Sequence, residues 1–221
     1  LGHNDAVAWT ATTAFADVMD VWKVTRVDGQ VQIGDDLYDI ESRAEDFLVR
    51  GSGQPVGEGI TESVIYEDVE GLGALLPGFV LPLPVGDYIV RWTGMEARRA
   101  SWFLELNRVG DIDAFEDAVD RMGEMNYNLV AASADAISYR VGVEVPDRGQ
   151  AGGEITPWMA MNGSADETRW TGKMLDTEQR PRARGAEQGW LVTANNDPFG
   201  FTADGFLDND PPQKGGSPIF I

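Results

Sequence analysis

The chain has to do any chemistry without a thiol and with one imidazole at most. It contains no cysteine and a single histidine, His3. Thiolate nucleophiles, disulfides and Cys-based zinc or iron–sulfur sites are therefore excluded together. A His-rich metal centre is impossible, and a Ser-His-Asp triad would have to use that one ring. His3 stands between Gly2 and Asn4, a setting that suits a buried, hydrogen-bonded structural imidazole better than a general base. Oxygen ligands are plentiful by contrast. Asp17 and Asp20 flank Met19, and closely spaced carboxylates and backbone carbonyls are what a hard cation such as Ca²⁺ takes. In an acidic chain the same two residues also read as solvated surface acids. The run Asp204 to Asp210 (DGFLDND) lacks the EF-hand spacing. GSG at Gly51 to Gly53 is not followed by the Gly-Lys-Ser/Thr of a P-loop.

Net charge narrows the partners. Asp+Glu number 37 against 17 Lys+Arg, a balance of -20, so nucleic acid and anionic membrane surfaces would be repelled over most of the chain. Lysine occurs only at 23, 173 and 214, which fits a salt-adapted or a secreted acidic protein. Membrane insertion is not expected, because the apolar stretch Leu75 to Leu83 is short and interrupted by Pro77, Gly78 and Pro82. With 43% hydrophobic residues the chain can bury a core. No linker-like segment divides it, so residues 1–221 read as a single unit.

The elements that would position these groups are mostly strands. Ala6 to Thr13 (AVAWTATT) carries no charge and reads as a buried strand. Val21–Val27 and Val31–Ile33 flank Asp28-Gly29, a hairpin signal. Glycines and acids break the pattern between Ser52 and Gly73, which predicts extended loops or edge strands of poor register. A helix opens at Asp111 or Asp113, with apolar positions at Ile112, Phe115, Val119 and Met122 and a stop near Gly123. A weaker helical pattern covers Ala97 to Asn107. Asn128–Ala132 and the alternation Ile137, Tyr139, Val141, Val143, Val145 predict a hairpin ended by Pro146. Gly189 to Asn195 (GWLVTAN) reads as a last buried strand. Trp9, Trp22 and Trp190 read as core. Strand runs with helices in the middle predict an α+β layered fold.

Three segments carry a resemblance to a known family. They are Leu1 to Trp22 (LGHNDAVAWTATTAFADVMDVW), Trp170-Thr171-Gly172, and Arg184 to Pro198 (RGAEQGWLVTANNDP). Together they resemble the β-chain of the penicillin acylase family, N-terminal-nucleophile amidohydrolases that include acyl-homoserine-lactone and cephalosporin acylases. RWTG at Arg91 to Gly94 and the stretch Tyr127 to Arg148 are similar to the family's middle. The resemblance leaves out roughly Ile33 to Leu83.

The resemblance implies a four-layer αββα sandwich and autocatalytic cleavage of a precursor. It also implies a nucleophilic N-terminal Ser whose own α-amine is the base, which suits an amine titrating near neutrality. This chain opens with Leu1, whereas in the family the GHN motif lies several dozen residues after the nucleophile. It therefore reads as an internal piece of the β-chain, inactive alone, whose partners are the α-chain and the remaining β-chain of the same precursor. By the same resemblance, Asn195 matches the side-chain oxyanion donor and Thr13 the backbone N–H donor. A strand-end Asn can equally serve its own turn. Ala11 and Tyr127 match acyl-contacting positions, and both also read as ordinary strand residues. Asp17, the Met19 carbonyl, Asp20 and the Pro157 carbonyl match structural Ca²⁺ ligands. Asp204, Asp208 and Asp210 are alternatives for a further ligand, and a Glu would come from the α-chain.

The implied function is hydrolysis of a non-peptide amide (penicillin, an acyl-homoserine lactone or a related acyl amide) in the periplasm or outside the cell. Two other readings fit the residues: an acidic Ca²⁺-binding β-rich extracellular module, and a catalytically dead acylase-fold protein.

Overall fold

The computed structural model describes residues 1–76, 85–96, 101–148, 160–165, 168–185, 187 and 189–195. In chain order the strands are β1 (Gly2–His3), β2 (Ala8–Thr13), β3 (Met19–Val27), β4 (Gln30–Ile33), β5 (Asp36–Val49), β6 (Ile60–Val69), β7 (Gly73–Leu76) and β8 (Asp87–Trp92). They continue as β9 (Tyr127–Ala132), β10 (Ile137–Gly142), β11 (Met161–Asn162) and β12 (Arg182–Arg184). The helices are α1 (Thr93–Glu96), α2 (Trp102–Leu106) and α3 (Ile112–Asp120). Where the sequence suggested a single unit, the chain divides into two compact units, Leu1–Asp20 with Trp92–Met159 and Glu167–Ile221, and Val21–Arg91 with Ala160–Asp166. The physical reason is pairing: most of 21–91 is a meander of strands bonded to their own sequence neighbours.

In the first unit the strands run in the order β1-β2-β9-β10-β12. The β2–β9 ladder sets Ala11 opposite Leu129, Thr12 opposite Asn128 and Thr13 opposite Tyr127. Opposed residues share a face, so Ala11, Thr13, Tyr127 and Leu129 look one way and Thr12 and Asn128 the other. The first face is covered by α2 and α3, and Trp102, Leu106, Ile112, Phe115, Val119 and Met122 form a core with Leu129 and Ala131. Helix α3 begins where its residues dictate. The Asp111 carboxylate accepts the Ala114 N–H at 2.8 Å, and Asp111→Ala should cost about 1 kcal/mol, read as a lower midpoint in denaturant unfolding with an unchanged slope. Ser138 and Arg140 both donate to the buried Glu116 carboxylate, which ties β10 to α3 through polar bonds as well as apolar contact.

In the second unit the order is β11-β3-β4-β5-β6-β7-β8, and β8 also pairs with β3, so the meander closes on itself. The β3–β4 hairpin forms at the expected Asp-Gly. Asp28 and Gly29 have φ of 49° and 83°, the pair of positive φ values that a two-residue hairpin turn demands.

Several expectations need correction. Residues 60–69 are not poorly registered: β6 pairs β5 over ten consecutive residues, Ile40↔Val69 through Val49↔Ile60. Both faces of that ribbon are largely exposed, so no alternation marks it in the sequence. Strand β2 is half-buried rather than buried. Residues 189–195 form no strand, and Trp190 is 60% exposed, so it is not core. Only Trp102–Leu106 of the weaker helix is described as such, and 97–100 lie outside the described residues. Strand β10 stops at Gly142, although Val143 and Val145 are buried beyond it. His3 is exposed, not buried.

Candidate active site

Strand β2 ends at Thr13 through a kink that its neighbours hold in place. Phe15 has φ of 53°, unusual for a bulky residue. The Asn126 side chain accepts the Ala16 N–H at 3.0 Å and donates to the Ala16 carbonyl at 2.7 Å, standing in for a strand partner. The Ala14 N–H donates to the Asn126 carbonyl at 2.9 Å.

At the strand end, the Thr13 N–H donates to Asn195 Oδ1 at 3.1 Å. The two matched oxyanion donors are thus adjacent, although Asn195 lies on an irregular exposed segment rather than on a strand. They border a cavity of about 440 Å³ whose lining also includes Ala11, Tyr127, Trp9 and Trp102. All four residues matched to amide recognition therefore meet at one opening, on the face of β2 and β9 that α2 covers. The rings of Trp102 and Tyr127 pack edge to face at 6.1 Å. Gly2 is tied to this wall: a Cβ there would come within 2.6 Å of the Trp9 ring, which gives a steric reason for the Gly and Trp of the GHN…AWT run. Asn4 fixes the same corner, accepting the Ala6 and Val7 N–H groups at 2.9 Å and donating to the Val109 carbonyl at 2.8 Å. His3 does not line the cavity.

Behind the donors lies a polar cluster that the sequence reading missed. Asn128 is fully buried. Its Nδ2 donates to the Thr13 carbonyl at 3.1 Å and to the Ala194 carbonyl at 3.5 Å, and its Oδ1 accepts the Tyr139 hydroxyl at 2.7 Å. Thr12 Oγ1 donates to the Ala194 carbonyl at 2.7 Å and lies 2.7 Å from Thr193 Oγ1. An Asn inside the otherwise apolar run Tyr127–Ala132 was the available signal.

A second cluster is built on Asp17 and Asp20, four and seven residues after Thr13. Asp20 is fully buried, and its Oδ2 accepts the Arg148 Nε at 2.8 Å and the Trp170 indole N–H. Arg148 also reaches Asp17 Oδ1 at 3.2 Å. Burial pushes the Asp17 carboxyl up to about 8; Arg148 opposes that rise, Asp20 adds to it, and a hydrogen bond from the Met19 backbone opposes it. Asp17 Oδ2 and Asp20 Oδ1 are buried without hydrogen-bond partners among the described residues. Two acids thus share one guanidinium and leave two oxygens open, which fits a hard cation. Among the described residues no group of three or more His, Cys, Asp or Glu could hold a metal, so further ligands would have to be carbonyls or come from elsewhere. Pro157, Asp204, Asp208 and Asp210 lie outside the described residues. Arg148 had no role in the sequence reading, and its place after Pro146-Asp147 offered no signal of burial.

No curated protein matches this sequence. A solved thermostable penicillin G acylase from Alcaligenes faecalis matches in structure with a TM-score of 0.71 and 20% sequence identity, covering 98% of this chain and 35% of that one. The likeness shows the fold, a strand-rich α+β arrangement of the N-terminal-nucleophile hydrolase type. This chain spans only that 35% of the acylase chain's length. The family model described as penicillin amidase matches residues 1–215, and by that match the chain belongs to the penicillin amidase family.

Proposed function

We propose that the chain supplies the oxyanion-binding part of an amidohydrolase that cleaves a non-peptide amide through an acyl-enzyme intermediate. The substrate class is penicillin, an acyl-homoserine lactone or a related acyl amide. The observation that carries this reading is the meeting of the Thr13 N–H and the Asn195 carboxamide, 3.1 Å apart, at the mouth of the cavity lined by Ala11 and Tyr127. Attack on an amide carbonyl places negative charge on its oxygen, and fixed N–H donors at that point lower the barrier. Family membership supports an amidase-type reaction. The nucleophile would be an N-terminal Ser using its own amine as base, on the remaining β-chain, with an α-chain as partner. These 221 residues alone would hydrolyse nothing.

The open carboxylate oxygens of Asp17 and Asp20 support a structural Ca²⁺, held also by the Met19 and Pro157 carbonyls. Its contribution would be charge neutralisation behind the strand end. We place the protein in the periplasm or outside the cell, which cell fractionation checks: a purely cytoplasmic pool would overturn it.

The test of function uses the full-length protein and chromogenic anilides of graded acyl length. Turnover of at least one is expected, and none across the series would sink the reading. Within that series Ala11→Phe should cut kcat/KM about tenfold or more for the bulkiest acyl group and little for acetyl, because it fills the cavity beside Tyr127. An equal loss for every acyl group would mean that Ala11 does not face the acyl chain.

A further inference from the structure

Resting on the amidohydrolase reading, we infer that Asn128 is a positioning residue that fixes the spacing of the two oxyanion donors by holding the backbones that carry them. The reasoning starts from stoichiometry. A carboxamide has two N–H donors on one nitrogen and an acceptor oxygen. Nδ2 of Asn128 faces two carbonyls, Thr13 at 3.1 Å and Ala194 at 3.5 Å, while Oδ1 takes the Tyr139 hydroxyl at 2.7 Å. The Ala194 carbonyl belongs to the peptide that leads into Asn195. One side chain therefore bridges β2 at its last residue to the segment bearing the other donor.

The orientation of that amide is fixed. Turning it over would put Oδ1 against two carbonyl oxygens with no proton between them. Asn128 is fully buried, so water cannot readily take over the lost bonds. Thr12, its cross-strand partner, grips the Ala194 carbonyl from the same face at 2.7 Å. Residues 189–195 belong to no described strand, so no ladder register sets the height of Asn195 above β2. These side-chain bonds set it instead. A clamp of this kind acts on geometry without touching the substrate, and a displacement of about 1 Å at a reacting centre can cost roughly 100-fold in rate.

The test compares Asn128→Ala and Tyr139→Phe with wild type in the full-length protein. Tyr139→Phe removes only the hydroxyl that orients the amide and keeps the ring, so it serves where the alanine variant folds poorly. Two readouts are taken. The first is peptide-resolved hydrogen–deuterium exchange. The Thr13 N–H bonded to Asn195 should exchange faster by about tenfold or more, with α3 unchanged, since exchange follows local opening. The second is anilide hydrolysis, where kcat should fall about 10- to 100-fold for Asn128→Ala, less for Tyr139→Phe, with KM within about twofold. Unchanged exchange at Thr13, or exchange raised equally in α3, would overturn the inference, as would a rise in KM with kcat intact. A wild-type protein that hydrolyses no anilide counts against the amidohydrolase reading instead, and exchange at Thr13 then still decides whether the clamp exists.

Discussion

Asn195→Ala in the full-length protein is expected to lower kcat about 100- to 1000-fold, with KM little changed and the unfolding midpoint unmoved because the residue is exposed. The size of the effect follows from how the site sits before substrate arrives. The Thr13 N–H is already occupied by Asn195 Oδ1 at 3.1 Å. In the proposed oxyanion site a substrate oxygen would take that N–H and also receive the Asn195 Nδ2 N–H. A neutral carbonyl oxygen gains little from the exchange, since one ordinary hydrogen bond replaces another. An oxyanion gains more, because charge-assisted hydrogen bonds are roughly twice as strong. On the proposed reading the arrangement would favour the transition state over bound substrate, which is the condition for raising kcat rather than lowering KM. Asn195→Asp sharpens the test. It keeps an acceptor for Thr13 but offers no donor and places a carboxylate where negative charge develops, so it should be at least as slow as the alanine variant. Steady-state anilide hydrolysis decides: a loss of less than about tenfold in both variants would remove Asn195 from the oxyanion site.

The parts of the fold that were legible in the sequence are those whose local chemistry and tertiary burial agree. Helix α3 announced itself because Ile112, Phe115, Val119 and Met122 recur on one face and all are buried, with Asp111 as cap. The β3–β4 turn was legible because only a few residues tolerate positive φ at two successive positions. The β5–β6 ribbon was not, since a ladder of main-chain bonds leaves no hydrophobic period when both faces are exposed. Residues 189–195 misled in the opposite sense. GWLVTAN has the composition of a buried strand, yet Trp190 and Val192 are 60% and 76% exposed. Both are left largely exposed, and bonds from Thr12 and Thr13 to residues 193–195, rather than a ladder, hold the segment to β2.

The candidate site divides along a similar line. Thr13, Asn195, Ala11 and Tyr127 came from resemblance alone, and the structure gathers all four at one cavity. Residue types could not have done this, because Thr and Ala on a strand carry no chemical mark. The residues that hold the site were invisible for another reason. Asn128 acts through positions 13 and 194, Tyr139 through 128, and Arg148 through 17 and 20, so their roles depend on separations of 11 to 131 residues that no local pattern encodes.

Arg148→Met should destabilise the full-length protein by about 3–5 kcal/mol, the usual result of stripping a buried charge of its partner. Arg148 is 2% exposed and Asp20 0%, so solvent cannot take over from the guanidinium. Chemical denaturation provides the measure, and a variant as stable as wild type would show that the acids are compensated in another way. Asp17 supplies the dependence on pH. Its folded-state pKa of about 8 lies above the ordinary 3.8, so between those values the folded state holds a proton that the unfolded state has released. Stability from this group is therefore greatest at low pH and declines as pH rises through the window, by at most about 1.4 kcal/mol per pH unit. A divalent cation on the open oxygens of Asp17 and Asp20 would reverse that preference by holding Asp17 ionised. Ca²⁺ affinity should then rise from pH 6 to about 8 and level off above the Asp17 pKa, with proton release on binding near neutral pH. In Arg148→Met the cation has the acids to itself, and added Ca²⁺ should restore more stability than it adds to wild type. Calorimetric titration at several pH values separates the two pictures: affinity independent of pH, together with no rescue of the variant, would leave Arg148 as the sole counter-ion of these acids and remove Ca²⁺ from the site.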